Sequence, residues 1–143
     1  MTGAIDGHCL CGAVTVRVAR HGGFTGVCHC RMCQRWTGGL FASFPAEAAD
    51  VVVTGPVARH ASSGFAERAF CSVCGSHLWY REPTEAAPYA LMPGLFDAAR
   101  DIPLKSEIYV DRALPGLALA GDHRRATRAE FEAKNPHLEG DLP

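Results

Sequence analysis

The chain has little net charge. Fourteen Lys and Arg stand against fifteen Asp and Glu, a formal charge of −1, so no broad field draws it to DNA, RNA or an anionic membrane. The helix-borne histidine pair of a zinc finger is missing too, which argues further against nucleic acid as a partner. No apolar run approaches the ~20 residues needed to span a bilayer. The opening stretch Met1-Thr2-Gly3-Ala4-Ile5-Asp6 has no basic patch followed by an apolar run. No signal peptide is therefore expected, and the cytoplasm is the expected location. Internal repeats and low-complexity tracts are absent. Charged residues make up only 20% against 48% hydrophobic, which excludes a disordered chain and fits a globular domain with its own core.

What the chain does have is cysteine, seven in 143 residues. A secreted disulfide scaffold usually carries an even number. Here the number is odd and the spacings are CxC, CxCxxC and CxxC. In a reducing compartment such clustered thiols are more often metal ligands than disulfide partners.

Helix is scarce in the pattern, and short strands are frequent. Ala13 to Val18 alternates, with Val14, Val16 and Val18 on one face. Further strands are expected at Leu40 to Phe44, Val51 to Thr54, Val57 to Ala61, Glu67 to Phe70, Leu78 to Arg81, Tyr89 to Met92 and Glu107 to Val110. Pro45 and Gly55-Pro56 read as breakers. One helical turn is expected over Arg31 to Trp36. A helix is expected over Arg128 to Lys134, with Thr127 as N-cap, Glu130 completing a capping box and Asn135-Pro136 ending it. The polar tail His137 to Pro143 is expected to be loose. The fold class is mainly β, a sandwich-like or folded-sheet architecture with few short helices.

Three clusters carry the chemistry: Cys9-Leu10-Cys11, Cys28-His29-Cys30-Arg31-Met32-Cys33 and Cys71-Ser72-Val73-Cys74. Zinc takes four tetrahedral ligands, and thiolate sulfur is its commonest partner in closed structural sites. Gly12 and Gly75 directly follow Cys11 and Cys74 and supply the positive φ such knuckles need. Seven sulfurs divide as four plus three. Cys9, Cys11, Cys71 and Cys74 form a Cys₄ set that closes a loop of roughly sixty residues. Cys28, Cys30 and Cys33 remain, with no fourth cysteine. Three protein ligands and an open position is the usual arrangement of catalytic zinc, and water, a thiol or a carbonyl oxygen can fill that position. The spacing leaves two other outcomes open: a fourth ligand such as His29 or an acid closes the site, or the thiols carry no metal.

The stretches Gly7-His8-Cys9-Leu10-Cys11-Gly12-Ala13-Val14, Cys28-His29-Cys30-Arg31-Met32-Cys33-Gln34-Arg35-Trp36-Thr37-Gly38 and Phe70-Cys71-Ser72-Val73-Cys74-Gly75-Ser76 resemble the glutathione-dependent formaldehyde-activating enzyme family, also called the CENP-V/GFA domain. The resemblance covers roughly residues 3–121 as the zinc-binding domain, with 122–143 as a C-terminal extension carrying the short helix. It implies an Mss4-like fold of folded antiparallel sheets with zinc knuckles. It implies two zinc ions per chain: a structural one on Cys9, Cys11, Cys71 and Cys74, and a catalytic one on Cys28, Cys30 and Cys33. The implied activity is a carbon–sulfur lyase reaction on a thiol–aldehyde adduct, by name glutathione plus formaldehyde giving S-hydroxymethylglutathione. The implied partner is thus a small thiol such as glutathione, with neither nucleic acid nor membrane. Ala113 to Pro143 departs from the family pattern.

The supporting residues are read by type. A zinc held by three thiolates is better suited to lowering a thiol's pKa than to activating water. His29, between two ligands, is expected to orient them rather than bind the metal. Arg31 and Arg35 suit the carboxylates of glutathione, or are solvated surface residues. Thr37-Gly38-Gly39 lines a pocket or turns the chain. Trp36 and Trp79 are expected in core or pocket walls. His8 and His77 are expected to pack or hydrogen-bond beside the first cluster, while His21 and His60 belong to no motif. Two competing functions fit the same cysteines: a non-catalytic zinc module for protein interaction, and redox sensing by Cys28 to Cys33.

Overall fold

The computed structural model describes residues 3–138. The expectations for Met1-Thr2 and for the tail beyond Leu138 lie outside the described residues. His137 and Leu138, at the start of that tail, belong to a 3₁₀ turn, Pro136–Leu138. Among the described residues the chain is mainly β, with eleven strands and two α-helices. The strands are β1 Ile5–His8, β2 Thr15–Val18, β3 Thr25–Cys28, β4 Phe41–Ala46, β5 Val51–Thr54, β6 Val57–Ser63, β7 Ala66–Cys71, β8 His77–Arg81, β9 Tyr89–Leu91, β10 Leu104–Ile108 and β11 Arg124–Ala126. The helices are α1 Arg31–Thr37 and α2 Arg128–Lys134. Two compact units divide the chain. One takes the residues up to Phe24 and Ser43–Pro103; the other takes Thr25–Ala42 and the residues from Leu104 onward.

The first unit is antiparallel throughout. Alternation in β2 buries Val16 and Val18 and leaves Thr15 and Arg17 outside, because successive side chains leave a strand on opposite faces. β2 pairs with β1 (Ile5 opposite Val18) and with β5 (Val16 opposite Val53). A second sheet runs β4-β9-β8-β7-β6. Leu91 of β9 lies opposite both Phe44 and Trp79, and these three are fully buried with Leu78, Val14 and Phe96. Each such large apolar side chain contributes ~1.5–3 kcal/mol relative to leaving it in water. Phe44 meets Phe96 edge-on at 5.2 Å.

Pro45 does not break β4 as expected; it sits inside the strand opposite Ala90. Proline removes one ladder donor but keeps its acceptor, and the Pro45 carbonyl takes a hydrogen bond from Gly22 N at 2.8 Å.

β1 is held by a close approach. A Cβ on Gly7 would lie 2.5 Å from Phe96 Cδ1 and 2.7 Å from the Leu95 carbonyl oxygen. Gly7→Ala is therefore expected to destabilise the fold by about 1–3 kcal/mol, the usual cost of overpacking. A urea melt reads this directly; an unshifted midpoint would show that β1 is not packed against Phe96.

The second unit is built on parallel pairs. β10 lies between β3 and β11 and runs parallel to both, with Ile108 opposite Cys28 and Glu107 opposite Arg125. The strand expected over Glu107 to Val110 ends early. Tyr109 turns into the left-handed region (φ 57°), and Val110–Arg112 form a 3₁₀ turn. A non-glycine residue there is strained and needs surrounding support. Tyr109 has it: its ring packs on Phe131 at 5.6 Å and its hydroxyl donates to Glu132 Oε1 at 2.9 Å. Both partners lie on α2, which the Thr127–Glu130 capping box starts as expected.

Candidate metal centres

The first centre is made by two turns of the first unit. After β1 the chain doubles back. Gly12 N donates to the Cys9 carbonyl at 3.0 Å and Cys9 N to the Val14 carbonyl at 3.0 Å. After β7 the same pattern recurs, with Gly75 N to Cys71 O at 2.8 Å and Cys71 N to Ser76 O at 2.9 Å. Gly12 and Gly75 have φ of 78° and 75°, the backbone state that only glycine adopts freely. Backbone N–H groups aim at the sulfurs: Val14 N at Cys9 Sγ (3.3 Å) and Val73 N at Cys71 Sγ (3.4 Å). Leu10 N donates to Ser76 Oγ at 3.0 Å and ties one turn to the other.

The four sulfurs of Cys9, Cys11, Cys71 and Cys74 lie within 4.8 Å of one another. Cys9 and Cys11 are 3.6 Å apart, and Cys11 and Cys71 are 3.9 Å apart. A disulfide needs about 2.05 Å. Four sulfurs at ~2.3 Å around a tetrahedral zinc stand about 3.8 Å from each other, so the spacing fits the ion. The acidities fit it as well. The Ser76 hydroxyl, then backbone donors, pull the Cys74 thiol down to about 5. Cys11 goes up to about 12: the Ala13 backbone hydrogen bond favours its thiolate, but desolvation and three neighbouring sulfurs outweigh it. Thiols this crowded do not all ionise alone, and a soft divalent cation removes the conflict.

The second centre lies wholly in the second unit. β3 ends on Cys28. Cys30 is the N-cap of α1, its sulfur accepting from Cys33 N at 3.3 Å. Cys33 follows in the first turn. The three sulfurs also lie within 4.8 Å of one another, and no fourth ligand joins them among the described residues. Neighbouring sulfurs Cys30 and Cys33, then burial, push the Cys28 thiol well above its ordinary value. Cys30 is pushed up to about 11; the hydrogen bond with Cys28 favours its thiolate, but Cys33 and burial prevail.

His29, between two of these cysteines, is 2% exposed and turns its Nε2 to Glu107 Oε1 at 2.7 Å. Its backbone N–H donates to the Ile108 carbonyl at 3.0 Å, and Gln34 Nε2 donates to both the His29 and Arg112 carbonyls. Glu107 is itself 5% exposed. Burial works to raise its carboxyl, but hydrogen bonds with His123 and His29 hold it below the ordinary carboxylate value. It is thus ionised at neutral pH and acts only as an acceptor, so both imidazoles donate to it through Nε2.

The remaining expected residues divide. Arg31 and Arg35 are exposed on α1, and Trp36 is half-buried. Thr37 is the last residue of α1, its hydroxyl donating to Cys33 O at 3.0 Å. Trp79 is in the core of the first unit. His8 hydrogen-bonds the Cys9 carbonyl at 2.8 Å. His21 is buried, with its ring edge-on to Phe44 at 5.3 Å. Glu107, His123, Arg125 and Tyr109 are functional candidates that the cysteine motifs did not reveal. The one available signal was His123-x-Arg125, two polar residues on the same face of an extended stretch.

Cysteine knuckles on a mainly β scaffold, with one full and one incomplete sulfur cage, define a β protein whose cysteine clusters could hold metal ions. Comparison with known proteins refines that class. The family model described as glutathione-dependent formaldehyde-activating enzyme matches residues 4–112, and the chain belongs to that family. A Schizosaccharomyces pombe protein named an uncharacterized lyase is 30% identical over 107 residues, spanning 74% of this chain and 78% of that protein. The crystal structure of a Rhodobacter sphaeroides protein aligns with a TM-score of 0.53 at 22% identity, covering 71% of this chain and 100% of the other. That last likeness concerns the fold alone. Among the described residues no helix is long and apolar enough to cross a membrane.

Proposed function

We propose that the chain is a zinc-dependent carbon–sulfur lyase acting on the adduct of a small thiol and an aldehyde, in the family's sense glutathione and formaldehyde. The observation that carries this reading is the incomplete cage: three sulfurs with no fourth ligand among the described residues, and between Cys28 and Cys30 in the chain a buried histidine bonded to a buried carboxylate. Cys9, Cys11, Cys71 and Cys74 would hold a structural zinc. Cys28, Cys30 and Cys33 would hold a second, catalytic one. When bound there, zinc supplies a Lewis acid that favours the ionised form of a thiol.

The chemistry balances without an oxidant. In the condensing direction the thiol sulfur bonds to the aldehyde carbon, the carbonyl pair moves to oxygen, and the proton lost by sulfur ends on that oxygen. The lyase direction is the reverse. Glu107 holds the buried His29 ring through Nε2, which fixes the orientation of the residue between Cys28 and Cys30. Arg31 and Arg35, four apart on α1, share one helix face and offer cations to the carboxylates of a peptide thiol.

The runner-up, a non-catalytic interaction module, draws on the knuckle tips of the first centre, where Leu10 is 87% and Val73 67% exposed. Turnover separates the two. The zinc-loaded protein mixed with glutathione and ¹³C-formaldehyde is expected to speed exchange between free and thiol-bound formaldehyde, saturably in thiol, by exchange NMR. Exchange at the uncatalysed rate, with glutathione and with other small thiols alike, would leave the module as the better account.

A further inference from the structure

Glu107 has more partners than orienting one histidine requires. One oxygen takes His29. The other takes His123 Nε2 together with Arg125 Nε at 3.1 Å. The rest of the Arg125 guanidinium is spent on the turn that delivers His123: one amino group donates to the Leu119 and Gly121 carbonyls, each at 3.1 Å, and the other to the His123 carbonyl at 3.4 Å. The His123 side chain is only 4% exposed. β11 then pairs with β10 so that Arg125 stands opposite Glu107. A buried carboxylate in such a setting is costly unless it is both paired and fully hydrogen-bonded, and here residues 119–125 provide both.

These residues lie beyond the family-matched stretch, which ends at residue 112. Yet the chain of contacts leads to the sulfurs. His123 and Arg125 hold Glu107, Glu107 holds the His29 ring, and His29 is the residue between Cys28 and Cys30. Its backbone is pinned to Ile108, next to Glu107. We propose that His123 and Arg125 are positioning residues of the three-sulfur centre, so that the segment after the family domain completes that centre. This rests on the reading of Cys28, Cys30 and Cys33 as metal ligands. The two residues act through Glu107 and His29 and touch neither metal nor substrate.

Cobalt(II) titration tests the proposal, because cobalt–thiolate absorption reports each centre and Cys30→Ser supplies the spectrum of the first centre alone. The wild-type chain is expected to take two ions. His123→Ala is expected to weaken the second centre about tenfold, in the range seen when a group that orients metal ligands is lost, with the first centre unchanged. His123→Gln keeps an N–H donor and is expected to recover most of that affinity. If His123→Ala proves insoluble, Arg125→Gln is expected to show the same selective weakening. Unchanged affinity in the alanine variant, equal loss at both centres, or no recovery with glutamine would overturn the proposal. A wild-type chain that binds one ion would overturn it together with the reading it rests on, and so tells the two failures apart.

Discussion

Cys71→Ala is expected to leave the first unit without a cooperative fold. Cys71 closes β7, is 0% exposed and belongs to the same core as Trp79, Phe44 and Leu91. Its sulfur accepts the Val73 N–H and stands 3.9 Å from Cys11. Structural zinc contributes an apparent ~10–16 kcal/mol in small zinc domains, whereas a whole domain retains only about 5–15 kcal/mol of net stability. If the four sulfurs hold zinc as proposed, losing one of them removes an amount comparable to everything the fold has in reserve. Far-UV circular dichroism in a urea titration is expected to show a broad or absent transition, with one zinc ion lost. A sharp transition with a midpoint within a few tenths of molar urea of the wild type would show that the cage is not structural.

Cys30→Ser is expected to do the opposite, removing chemistry and sparing the fold. Cys30 caps α1 through its side chain, and serine is among the best N-cap residues. The hydroxyl takes over the Cys33 N–H bond, so α1 keeps its start. Oxygen replaces a soft ligand in a cage that has only three, and zinc held by the remaining two sulfurs is expected to leave. Metal content should fall from two ions to one, turnover should fall to the uncatalysed rate, and the melting temperature should barely move. Retained turnover at wild-type kcat/KM would remove the three-sulfur centre from the reaction.

The two substitutions differ for a reason visible in the chain. The Cys₄ set unites two turns separated by most of the first unit, so its loss is felt globally. The Cys28, Cys30 and Cys33 set spans one strand end and one helix turn, so its loss stays local. CxC and CxxC with the glycines after Cys11 and Cys74 marked the turns of the first cluster, and CxCxxC marked the second, because the geometry of each such motif is local. The capping box at Thr127 was legible for the same reason.

Other features were hidden because their causes are not local. β1 carries Asp6 and Gly7, poor strand formers, and is held by packing on Phe96. β3 contains Gly26, and β11 begins with two arginines; both are strands because β10 pairs with them in parallel. Pro45 reads as a breaker until its neighbours are known. The Glu107 assembly joins residues 78 and 16 positions apart, and no periodicity encodes that meeting. Tyr109 ends β10 in a conformation that its own residue type disfavours and that α2 enforces.

Zinc K-edge X-ray absorption and metal analysis on the same purified, chelator-washed sample test the central claim most directly. The account predicts two zinc ions per chain, sulfur as the dominant neighbour at about 2.3 Å, and seven free thiols after denaturation in chelator. A single ion, no ion, or sulfurs joined in disulfides would contradict it.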